Sequence, residues 1–414
     1  MLFNPEVLNA LAVRLHGRRI GTIHKLGGDR CFFSFEQDYL DDAGRETLSL
    51  SFKGRSGGVV VPTRASVARL PVFFSNLLPE GHLREYLAAR AKVKPQREFF
   101  LLAALGADLP GAIMVEPDQV EAIVPYPGKE SHFGGGVQKT VLRFSLAGIQ
   151  LKFSAIMEAS GGLTIPADGM GGSWIVKLPS GRFPAVPENE YAMMALARSI
   201  GLQAPRTELI DIGDIGGLPS VAGSMEGKAL AVRRFDRDAE GNPVHMEDFA
   251  QVFGIYAADK YRRRSYANIA AVLWMETGES GVHEFLRRLA FSVLIGNADM
   301  HLKNWSLLYP DRRAPLLSPA YDLLSTLPYI PDDKLALTFG GSRSLNEITP
   351  EQVRRFADTA RVPTAPLWKI IIETADRTVS AWEELAEKDL LPSKIRAVIN
   401  SHILNVAGAI TASG

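Results

Sequence analysis

The most informative part of the sequence is a polar segment that reads Gly296-Asn297-Ala298-Asp299-Met300-His301-Leu302-Lys303-Asn304-Trp305. It follows an apolar run at residues 289–295. The spacing Asp-x-x-x-x-Asn is typical of a phosphotransfer loop, in which the aspartate takes the proton of the acceptor hydroxyl and the asparagine binds magnesium. An isolated copy of this spacing is more often a polar turn, so the remainder of the chain has to decide between the two interpretations.

A second carboxylate further along favours the phosphotransfer interpretation. Asp322 lies in the stretch Ser318-Pro319-Ala320-Tyr321-Asp322-Leu323-Leu324-Ser325. A carboxylate after the asparagine can chelate the metal ion that bridges the nucleotide phosphates. The polar side chains also interrupt segments whose apolar character otherwise predicts core. We therefore expect Asp299, Asn304 and Asp322 to form one site.

Composition limits the classes of protein that need to be considered. The chain has 414 residues, which is more than one core usually holds and predicts two or three domains. Its 46 Lys and Arg residues balance 46 Asp and Glu residues, which argues against a protein that mainly coats nucleic acid or an anionic membrane. Cys31 is the only cysteine, so an internal disulfide and a cysteine-built zinc site are excluded.

The chain start and the hydropathy pattern predict a cytoplasmic protein. The first residues lack the basic-then-apolar order of a signal peptide. No run approaches the roughly 20 apolar residues of a membrane span.

The N-terminal part of the sequence predicts a small α+β unit. Alternating residues at 11–23 around a glycine-containing turn predict a hairpin, and residues 32–35 and 47–52 continue the strand pattern. From Leu77 to about Leu105 the apolar period is helical, with breaks at Pro79 and Pro95. The unit is expected to end near residues 111–115, and prolines and glycines over 116–137 predict a linker.

The next segments carry residues that suit nucleotide binding. Small residues between two β-rich arms at 144–154 suit a loop whose backbone N–H groups approach phosphates, although the spacing alone also fits an ordinary hairpin. Lys177 interrupts a short apolar strand at 174–178. A lysine in that position is either an edge residue or the ammonium that grips the α- and β-phosphates.

A helix beginning at Glu190 and ended by Gly201 follows the lysine. Either Glu188 or Glu190 can orient Lys177, as a helix glutamate does in kinases, or both acids can simply favour a helix N-terminus. A strand from Ala229 into charged residues predicts a hinge whose backbone pairs with adenine, and no strand is expected beyond it.

From residue 245 to the C-terminus the pattern is predominantly helical. Thr349 with Gln352 three positions after it predicts a capping box, and Pro350 suits the first helical position. Arg262-Arg263-Arg264, between two tyrosines, is the most basic spot and predicts either a solvated helix face or a partner or nucleic-acid contact. The histidines show no zinc-site spacing.

Six segments together resemble the motif series of the HipA toxin kinases, in the same order and at similar spacing. They are 145–152 (SLAGIQLK), 188–191 (ENEY), 234–237 (RFDR), 247–249 (EDF), 296–304 (GNADMHLKN) and 321–325 (YDLLS). Residues 1–115 also resemble the N-terminal subdomain of that family, so the resemblance covers nearly the whole chain.

The resemblance implies a bacterial Ser/Thr protein kinase, the toxin of a toxin–antitoxin pair, that uses ATP and Mg²⁺. Known members phosphorylate aminoacyl-tRNA synthetases and thereby slow translation. The family resemblance also implies inhibition by a HipB-like helix-turn-helix antitoxin that binds operator DNA.

The same resemblance implies roles for individual residues. Asp299 corresponds to the catalytic base, Asn304 and Asp322 to the metal ligands, Lys177 to the phosphate-binding lysine, and Ser145 to the serine that the family autophosphorylates. The other implied nucleotide contacts are a phosphate loop, Ala147, Gly148, Ile149, Gln150, Leu151 and Lys152, and the residues bordering the nucleotide, Arg233, Phe235, His301 and Tyr321. Leu151 stands where the family often has glutamate, and Arg233 stands where an acidic hinge residue is common.

The expected fold class is α+β, a protein-kinase-like two-lobed fold. The expected domains are an N-terminal HipA-type subdomain at 1–115, a linker at 116–137, a strand-rich nucleotide-binding lobe at 138–240 and a helical catalytic lobe at 241–414.

Two other functions fit the same residues. A small-molecule kinase of the aminoglycoside-phosphotransferase type shares the Asp, Asn and Asp spacing and modifies a metabolite or drug. A catalytically silent scaffold that binds an antitoxin or DNA is the other alternative.

Overall fold

The computed structural model describes residues 7–54, 57–118, 152–157, 163–165, 172–218 and 225–413. The chain divides into two compact units. Unit 1 comprises Met1–Ile175, Ile215–Pro219 and Asp236–His245, and unit 2 comprises Val176–Asp214, Ser220–Phe235 and Met246–Gly414. The described residues form 13 strands and ten α-helices, so the predicted α+β class is confirmed.

Unit 1 begins with an antiparallel sheet in the order β3-β2-β1-β4. The β1–β2 hairpin is as predicted, and its turn residues His16 and Gly17 both have positive φ, which matches the twist of the two strands. The elements are β1 (Ala10–Leu15), β2 (Arg18–Leu26), β3 (Arg30–Phe35), α1 (Gln37–Asp41), α2 (Val72–Ser75), α3 (Gly81–Ala91), α4 (Glu98–Leu105) and β4 (Ile113–Pro117).

An aromatic cluster forms the core of this sheet. The rings of Phe33 and Phe74 lie 4.8 Å apart, and Phe73 meets Phe74 edge-on at 5.2 Å. All three side chains are almost fully buried, which contributes about 1.5–3 kcal/mol each. Later in unit 1, β5 (Lys152–Met157) pairs with β6 (Leu163–Thr164), which pairs with β9 (Ile215–Gly216).

Unit 2 begins with a strand and helix that hold charged residues of the site. These elements are β7 (Trp174–Lys177), α5 (Val186–Ser199), β8 (Thr207–Asp211) and β10 (Lys228–Arg233). Strand β10 pairs antiparallel with β8 and lies beside β7. Helix α5 packs on β8 and β10 through an apolar face that includes Met193 and Leu196.

The remainder of unit 2 is built around one long helix. Helix α7 is broken at Gly278, where φ is +70°, and it packs against α8, α9 and α10. The elements are β11 (His245–Asp248), α6 (Phe249–Val252), α7 (Tyr266–Leu294), β12 (Ser306–Tyr309), β13 (Leu316–Leu317), α8 (Pro350–Ala360), α9 (Leu367–Glu384) and α10 (Ser393–Ala412). The capping box is confirmed, since Thr349 and Gln352 exchange hydrogen bonds of 2.9 and 3.2 Å.

Three structural expectations are wrong. Residues 47–52 do not form a strand, because the Ser49 side chain accepts from the Ser51 N–H and starts a short 3₁₀ turn, Leu50–Phe52. Strands do not stop after β10, because β11, β12 and β13 form a small sheet in the predominantly helical region. Helix α5 begins at Val186, before the predicted Glu190.

The predicted linker 116–137 overlaps β4, which continues to Pro117 by pairing with β1. Residues 119–137 of it lie outside the described part of the chain. Among the described residues, no helix combines the length and the apolar character that crossing a bilayer requires.

Candidate active site

The polar loop 296–304 emerges from the C-terminus of α7. Gly296 turns the chain with φ of +69°, and a Cβ there would lie 2.5 Å from Leu327 Cδ1, so a larger residue does not fit. The loop ends in a 3₁₀ turn, Leu302–Asn304, before β12 begins. Asp299 is exposed, whereas its neighbours Ala298 and Met300 are buried. The loop therefore presents one carboxylate to solvent between two buried neighbours.

The Asp299 carboxylate is held by a tyrosine. The Tyr261 hydroxyl donates to Asp299 Oδ1 over 2.6 Å. Crowding by the surrounding protein raises the pKa of the Asp299 carboxyl even though the residue reaches solvent, and the Tyr261 hydrogen bond and the charge of Lys260 oppose this rise. Within the described part of the chain, Oδ2 has no hydrogen-bond partner, so it remains able to accept a proton from an acceptor hydroxyl.

Asn297 connects this loop to the stretch that carries Asp322. Its Oδ1 accepts from the Asp299 backbone N–H over 3.0 Å, and its Nδ2 donates to the Asp322 carbonyl oxygen over 3.3 Å. The side chain is 1% exposed, so water competes little with either hydrogen bond. One buried amide thus fixes the relative positions of the two acidic residues.

Asn304 lies on the other side of Asp299. Its Nδ2 donates to the Asp299 carbonyl oxygen over 2.7 Å. The amide oxygen Oδ1 of Asn304 therefore points away from that carbonyl oxygen. Asp322 has φ of +54°, a left-handed conformation that is uncommon outside glycine and often found at functional sites.

Lys177, Glu190 and Asp322 form an ion cluster in which Lys177 and Glu190 are buried and Asp322 is partly exposed. The Lys177 ammonium donates to Asp322 Oδ1 over 2.5 Å and to Glu190 Oε1. Burial lowers the pKa of Lys177, but the two carboxylates outweigh that effect and hold its pKa above its usual range. The lysine is therefore charged at neutral pH. Glu190, and not Glu188, is the helix glutamate that orients it.

Asn189 attaches α5 to the Asp322 stretch. Its Nδ2 donates to the Ser325 carbonyl oxygen over 3.0 Å, and its Oδ1 accepts from the Ser325 N–H over 3.2 Å. The side chain is fully buried. This reciprocal pair holds the helix that carries Glu190 against the segment that carries Asp322.

Lys303 attaches the loop to the residue that caps α6. Its ammonium pairs with Asp248 Oδ2 over 2.6 Å, and Asp248 also caps α6 by accepting from the Gln251 N–H. The Tyr321 hydroxyl donates to the Lys303 carbonyl oxygen over 2.8 Å. The 247–249 motif is thus adjacent to the 296–304 loop and supports it.

The residues expected around the base of the nucleotide are also in unit 2. The rings of Phe235 and Tyr321 are 5.4 Å apart and tilted by 36°. The Arg233 backbone N–H donates to the Arg206 carbonyl oxygen over 2.9 Å, so this N–H is not available to adenine. His301 is buried, and burial lowers the pKa of its imidazole well below the usual value. A neutral ring lets Nδ1 accept from the Lys303 N–H over 3.2 Å.

The predicted phosphate loop and the predicted phosphorylation site fall almost entirely outside the described residues. Ser145, Ala147, Gly148, Ile149, Gln150 and Leu151 lie outside the described residues. Lys152 is the first residue of β5, and the structure describes only its backbone.

The oxygen donors of the site fit a magnesium ion shared with a nucleotide. Within the described residues, no group of three or more His, Cys, Asp or Glu side chains is placed to bind a metal. Asn304 Oδ1 and the Asp322 carboxylate are hard oxygen donors. Magnesium commonly takes one or two such protein ligands and completes its shell with phosphates and water.

Sequence reasoning missed Asn297, Asn189 and Tyr261 as site residues. Asn297 and Asn189 lie inside two of the motifs quoted above, where a polar residue in apolar surroundings could have indicated them. Tyr261 is far from Asp299 in sequence, and no local pattern indicated their contact.

Family models match both parts of the chain. The HipA-like C-terminal domain matches residues 144–382, and the HipA N-terminal domain matches residues 11–116. The chain belongs to the HipA family. This membership agrees with the predicted resemblance and with the cluster of motif residues in unit 2.

Individual relatives extend this result. The chain is 48% identical to the Sinorhizobium fredii protein Y4dM, whose name describes it as a kinase. The match covers 96% of this chain and 97% of that one. It is 25% identical to the serine/threonine-protein kinase toxin HipA of Shewanella oneidensis, over 77% of each chain. A solved Shewanella oneidensis structure of HipA with HipB and operator DNA has the same fold, with a TM-score of 0.72, 22% identity, and coverage of 97% and 99%.

Proposed function

We propose that this HipA-family chain is an ATP-dependent Ser/Thr protein kinase of the toxin type. The observation that carries the proposal is the Lys177–Glu190–Asp322 ion cluster, which Asn297 ties to the exposed base Asp299. A lysine for phosphates, a carboxylate for metal and a base for the acceptor are the parts that phosphoryl transfer requires. Relatives named as kinases support the same activity.

The chain's residues divide the reaction between them. Asp299 Oδ2 takes the proton of a Ser or Thr hydroxyl as the acceptor oxygen bonds to the γ-phosphorus and the bond to the β–γ bridging oxygen breaks, releasing ADP. Lys177 exchanges part of its contact with Asp322 for phosphate oxygens. Asn304 and Asp322 would hold Mg²⁺, which when bound would supply positive charge to neutralise the phosphates.

The nucleotide site extends to residues whose roles rest on the family resemblance. We assign the phosphate loop to Ala147, Gly148, Ile149, Gln150, Leu151 and Lys152, and the border of the nucleotide to Arg233, Phe235, His301 and Tyr321. A backbone donor to adenine must come from a hinge residue other than Arg233, because the Arg233 N–H is already bonded.

The acceptor is proposed to be a protein, such as an aminoacyl-tRNA synthetase. The support is the Shewanella oneidensis relative, which is named a serine/threonine-protein kinase toxin. We also propose that Ser145 is autophosphorylated, because it occupies the position of the serine that the family modifies.

A HipB-like helix-turn-helix antitoxin is the proposed partner, and operator DNA is reached mainly through it. The support is the related Shewanella oneidensis HipA, whose structure includes HipB and operator DNA. The proposed domains are the N-terminal HipA-type subdomain at 1–115, the linker at 116–137, the nucleotide-binding lobe at 138–240 and the catalytic lobe at 241–414. The proposed location of the protein is the cytoplasm.

Transfer of label to lysate tests this function. The full chain is incubated with γ-³²P-ATP, Mg²⁺ and bacterial lysate, beside Asp299→Asn and the control Asp358→Asn, which changes an exposed residue of α8. We expect labelled proteins with the wild type and the control and none with Asp299→Asn. Label confined to small molecules contradicts a protein kinase and favours the small-molecule alternative. No label in either fraction favours the silent scaffold.

A further inference from the structure

Arg288 is a buried cation that the proposed reaction leaves without a role. The residue lies on α7 and is only 2% exposed. Its Nε donates to Glu284 Oε1 over 2.8 Å, but the Glu284 side chain is itself 19% exposed. Burial lowers the pKa of the Arg288 guanidinium, and the charge of Glu284 opposes this effect. An arginine stays charged in proteins, so the fold keeps a positive charge at a place where burial is unfavourable to it.

The guanidinium of Arg288 holds the segment that leads to Asp322. Arg288 Nη1 donates to the Ser318 carbonyl oxygen. On its other side, the Ser318 N–H donates to the Ser306 carbonyl oxygen over 2.9 Å, which extends the pairing of β12 with β13. Ser318 is buried, so water competes little with the charge-assisted bond to its carbonyl oxygen. Ser318 is thereby fixed through both of its backbone polar groups shortly before Asp322.

The same guanidinium lines a cleft that is shared by the two proposed metal-binding segments. We define the Asn304 arm as residues 304–306, which lead into β12, and the Asp322 arm as residues 318–322, which follow β13. The cleft has no room for a water molecule, and residues of both arms line it together with Arg288; they include Asn304, Ser306, Ser318 and Ala320. Within the described part of the chain, Arg288 Nη2 is buried and has no hydrogen-bond partner. The guanidinium therefore packs against both arms and is hydrogen-bonded to one of them.

The charge of Arg288 also reaches the residue next to Asp322. Burial raises the pKa of the Tyr321 hydroxyl well above its usual value, and the positive charge of Arg288 is among the effects that oppose this rise. The Tyr321 hydroxyl lies 2.6 Å from Ser306 Oγ and donates to the Lys303 carbonyl oxygen over 2.8 Å. Tyr321 thus joins the Asp322 arm to residues 303–306 within the range of the Arg288 charge.

We propose that Arg288 is a positioning residue that sets the separation of Asn304 and Asp322 and thereby the affinity of the site for a divalent cation. The inference rests on the proposed kinase function and adds a residue of α7 to it. Asn304 Oδ1 and the Asp322 carboxylate can share one magnesium ion only at a separation that its octahedral shell allows. Arg288 touches neither the ion nor the nucleotide and acts through the two arms.

A role in stability alone explains these contacts less well. A buried ion pair can often be replaced by apolar residues of similar volume without loss of stability. Arg288 differs from an apolar residue in its hydrogen bond to a backbone carbonyl of the Asp322 arm, which a methionine cannot make. The two roles therefore differ in the metal affinity of the folded protein.

The test compares the full-length wild type with Arg288→Met and with the matched control Arg287→Met. Arg287 is the preceding residue of α7, lies 3.4 Å from the same Glu284 and has a side chain that is 46% exposed. Binding of Mn²⁺ in the presence of ADP is measured by electron paramagnetic resonance, so that no phosphate is transferred. Hydrogen exchange of the backbone amides of residues 318 and 320–322 is measured in the nucleotide-free proteins. Thermal unfolding verifies that each variant is folded.

Arg288→Met is expected to bind Mn²⁺ about tenfold more weakly than the wild type, as is usual when a residue that orients metal ligands is lost. Its amides in the Asp322 arm are expected to exchange faster, whereas Arg287→Met matches the wild type in both measurements. Arg288→Lys keeps the charge but not the paired donors of the guanidinium, so its Mn²⁺ affinity is expected to lie between the two.

Other results overturn the inference. A folded Arg288→Met protein with the Mn²⁺ affinity of the wild type contradicts it, and so does an equal loss of affinity in Arg287→Met. If Arg288→Met does not fold, Arg288→Met/Glu284→Gln, which removes both charges of the pair, takes its place in the comparison. Failure of this variant to fold as well assigns Arg288 to stability and also overturns the inference. A wild type that binds no Mn²⁺ with ADP refutes the proposed function itself.

Discussion

The side-chain oxygen Oδ1 of Asn297 accepts a hydrogen bond from the backbone N–H of Asp299 over 3.0 Å, and the Asn297 side chain is buried. A buried amide therefore orients the base of the candidate site. The same side chain reaches the Asp322 carbonyl oxygen. Any movement of Asn297 is therefore expected to disturb the base and the metal ligand together.

Replacing Asn297 by alanine should lower kcat for phosphate transfer by about a hundredfold, because small misplacements of a base are costly. Loss of the two buried hydrogen bonds should also cost about 2–3 kcal/mol of the free energy of unfolding. Steady-state kinetics and urea unfolding measure the two effects. Asn405→Ala, an exposed asparagine on α10, is the control. Unchanged kcat in a folded Asn297→Ala protein would remove this residue from the site.

Glu190→Gln tests the orientation of Lys177. The substitution keeps the shape of the side chain but removes one of two carboxylates around the ammonium, leaving Lys177 paired with Asp322 alone. We expect weaker Mg-ATP binding by calorimetry, by about tenfold or more, because the lysine is then held away from the phosphates. Glu188→Gln, on the same helix, is the matched control. If both variants bind Mg-ATP equally well, the buried pair does not serve the nucleotide.

The Asp248–Lys303 pair should stabilise the loop well beyond an ordinary surface pair. Asp248→Asn keeps a capping residue for α6 but removes the carboxylate that pairs with the buried Lys303 ammonium, which should cost about 3–5 kcal/mol of the free energy of unfolding. Adding Lys303→Met should recover part of that loss.

The exposed pair Lys228–Asp211 provides the comparison for this double-mutant cycle, with an expected coupling of at most about 1 kcal/mol. Urea unfolding of both cycles gives the two coupling energies. Similar values for the buried and the exposed pair would contradict the supporting role assigned to Asp248.

Ser145 phosphorylation should weaken ATP binding. A phosphoserine adds close to two negative charges, which would repel the triphosphate from the adjacent phosphate loop. Mass spectrometry after incubation with Mg-ATP should detect phosphate on Ser145 in the wild type and not in Asp299→Asn, which serves as the control for autocatalysis. A phosphorylated fraction that binds ATP as tightly as the unmodified protein would exclude this form of self-inactivation.

Local sequence chemistry predicted much of the fold and which residues of the candidate site lie together. The capping box at Thr349 and the β1–β2 hairpin follow from short-range preferences, and both were predicted. Asp299, Asn304 and Asp322 were expected together, and the structure connects them through Asn297 and the backbone of Asp299.

Features that depend on distant partners could not be predicted in the same way. Spacing left Glu188 and Glu190 equivalent, and only the burial of Glu190 against Lys177 separates them. The alternation at 47–52 favoured a strand, but a side-chain cap from Ser49 redirected the chain. Strands β11 to β13 are short, and β11 pairs with β12 across a long sequence interval, so no local run marked them.

The rate of γ-phosphate transfer by Asp299→Asn shows whether the 296–304 loop is the catalytic centre. It is measured with Mg-ATP beside the wild type and Asp358→Asn, with Mg-ATP binding and thermal unfolding determined on the same samples. We expect a folded Asp299→Asn protein that binds Mg-ATP but transfers phosphate at least about a thousandfold more slowly, because the base for the acceptor hydroxyl is lost. A folded variant that retains more than about a tenth of the wild-type rate would contradict the assignment of this loop as the catalytic centre.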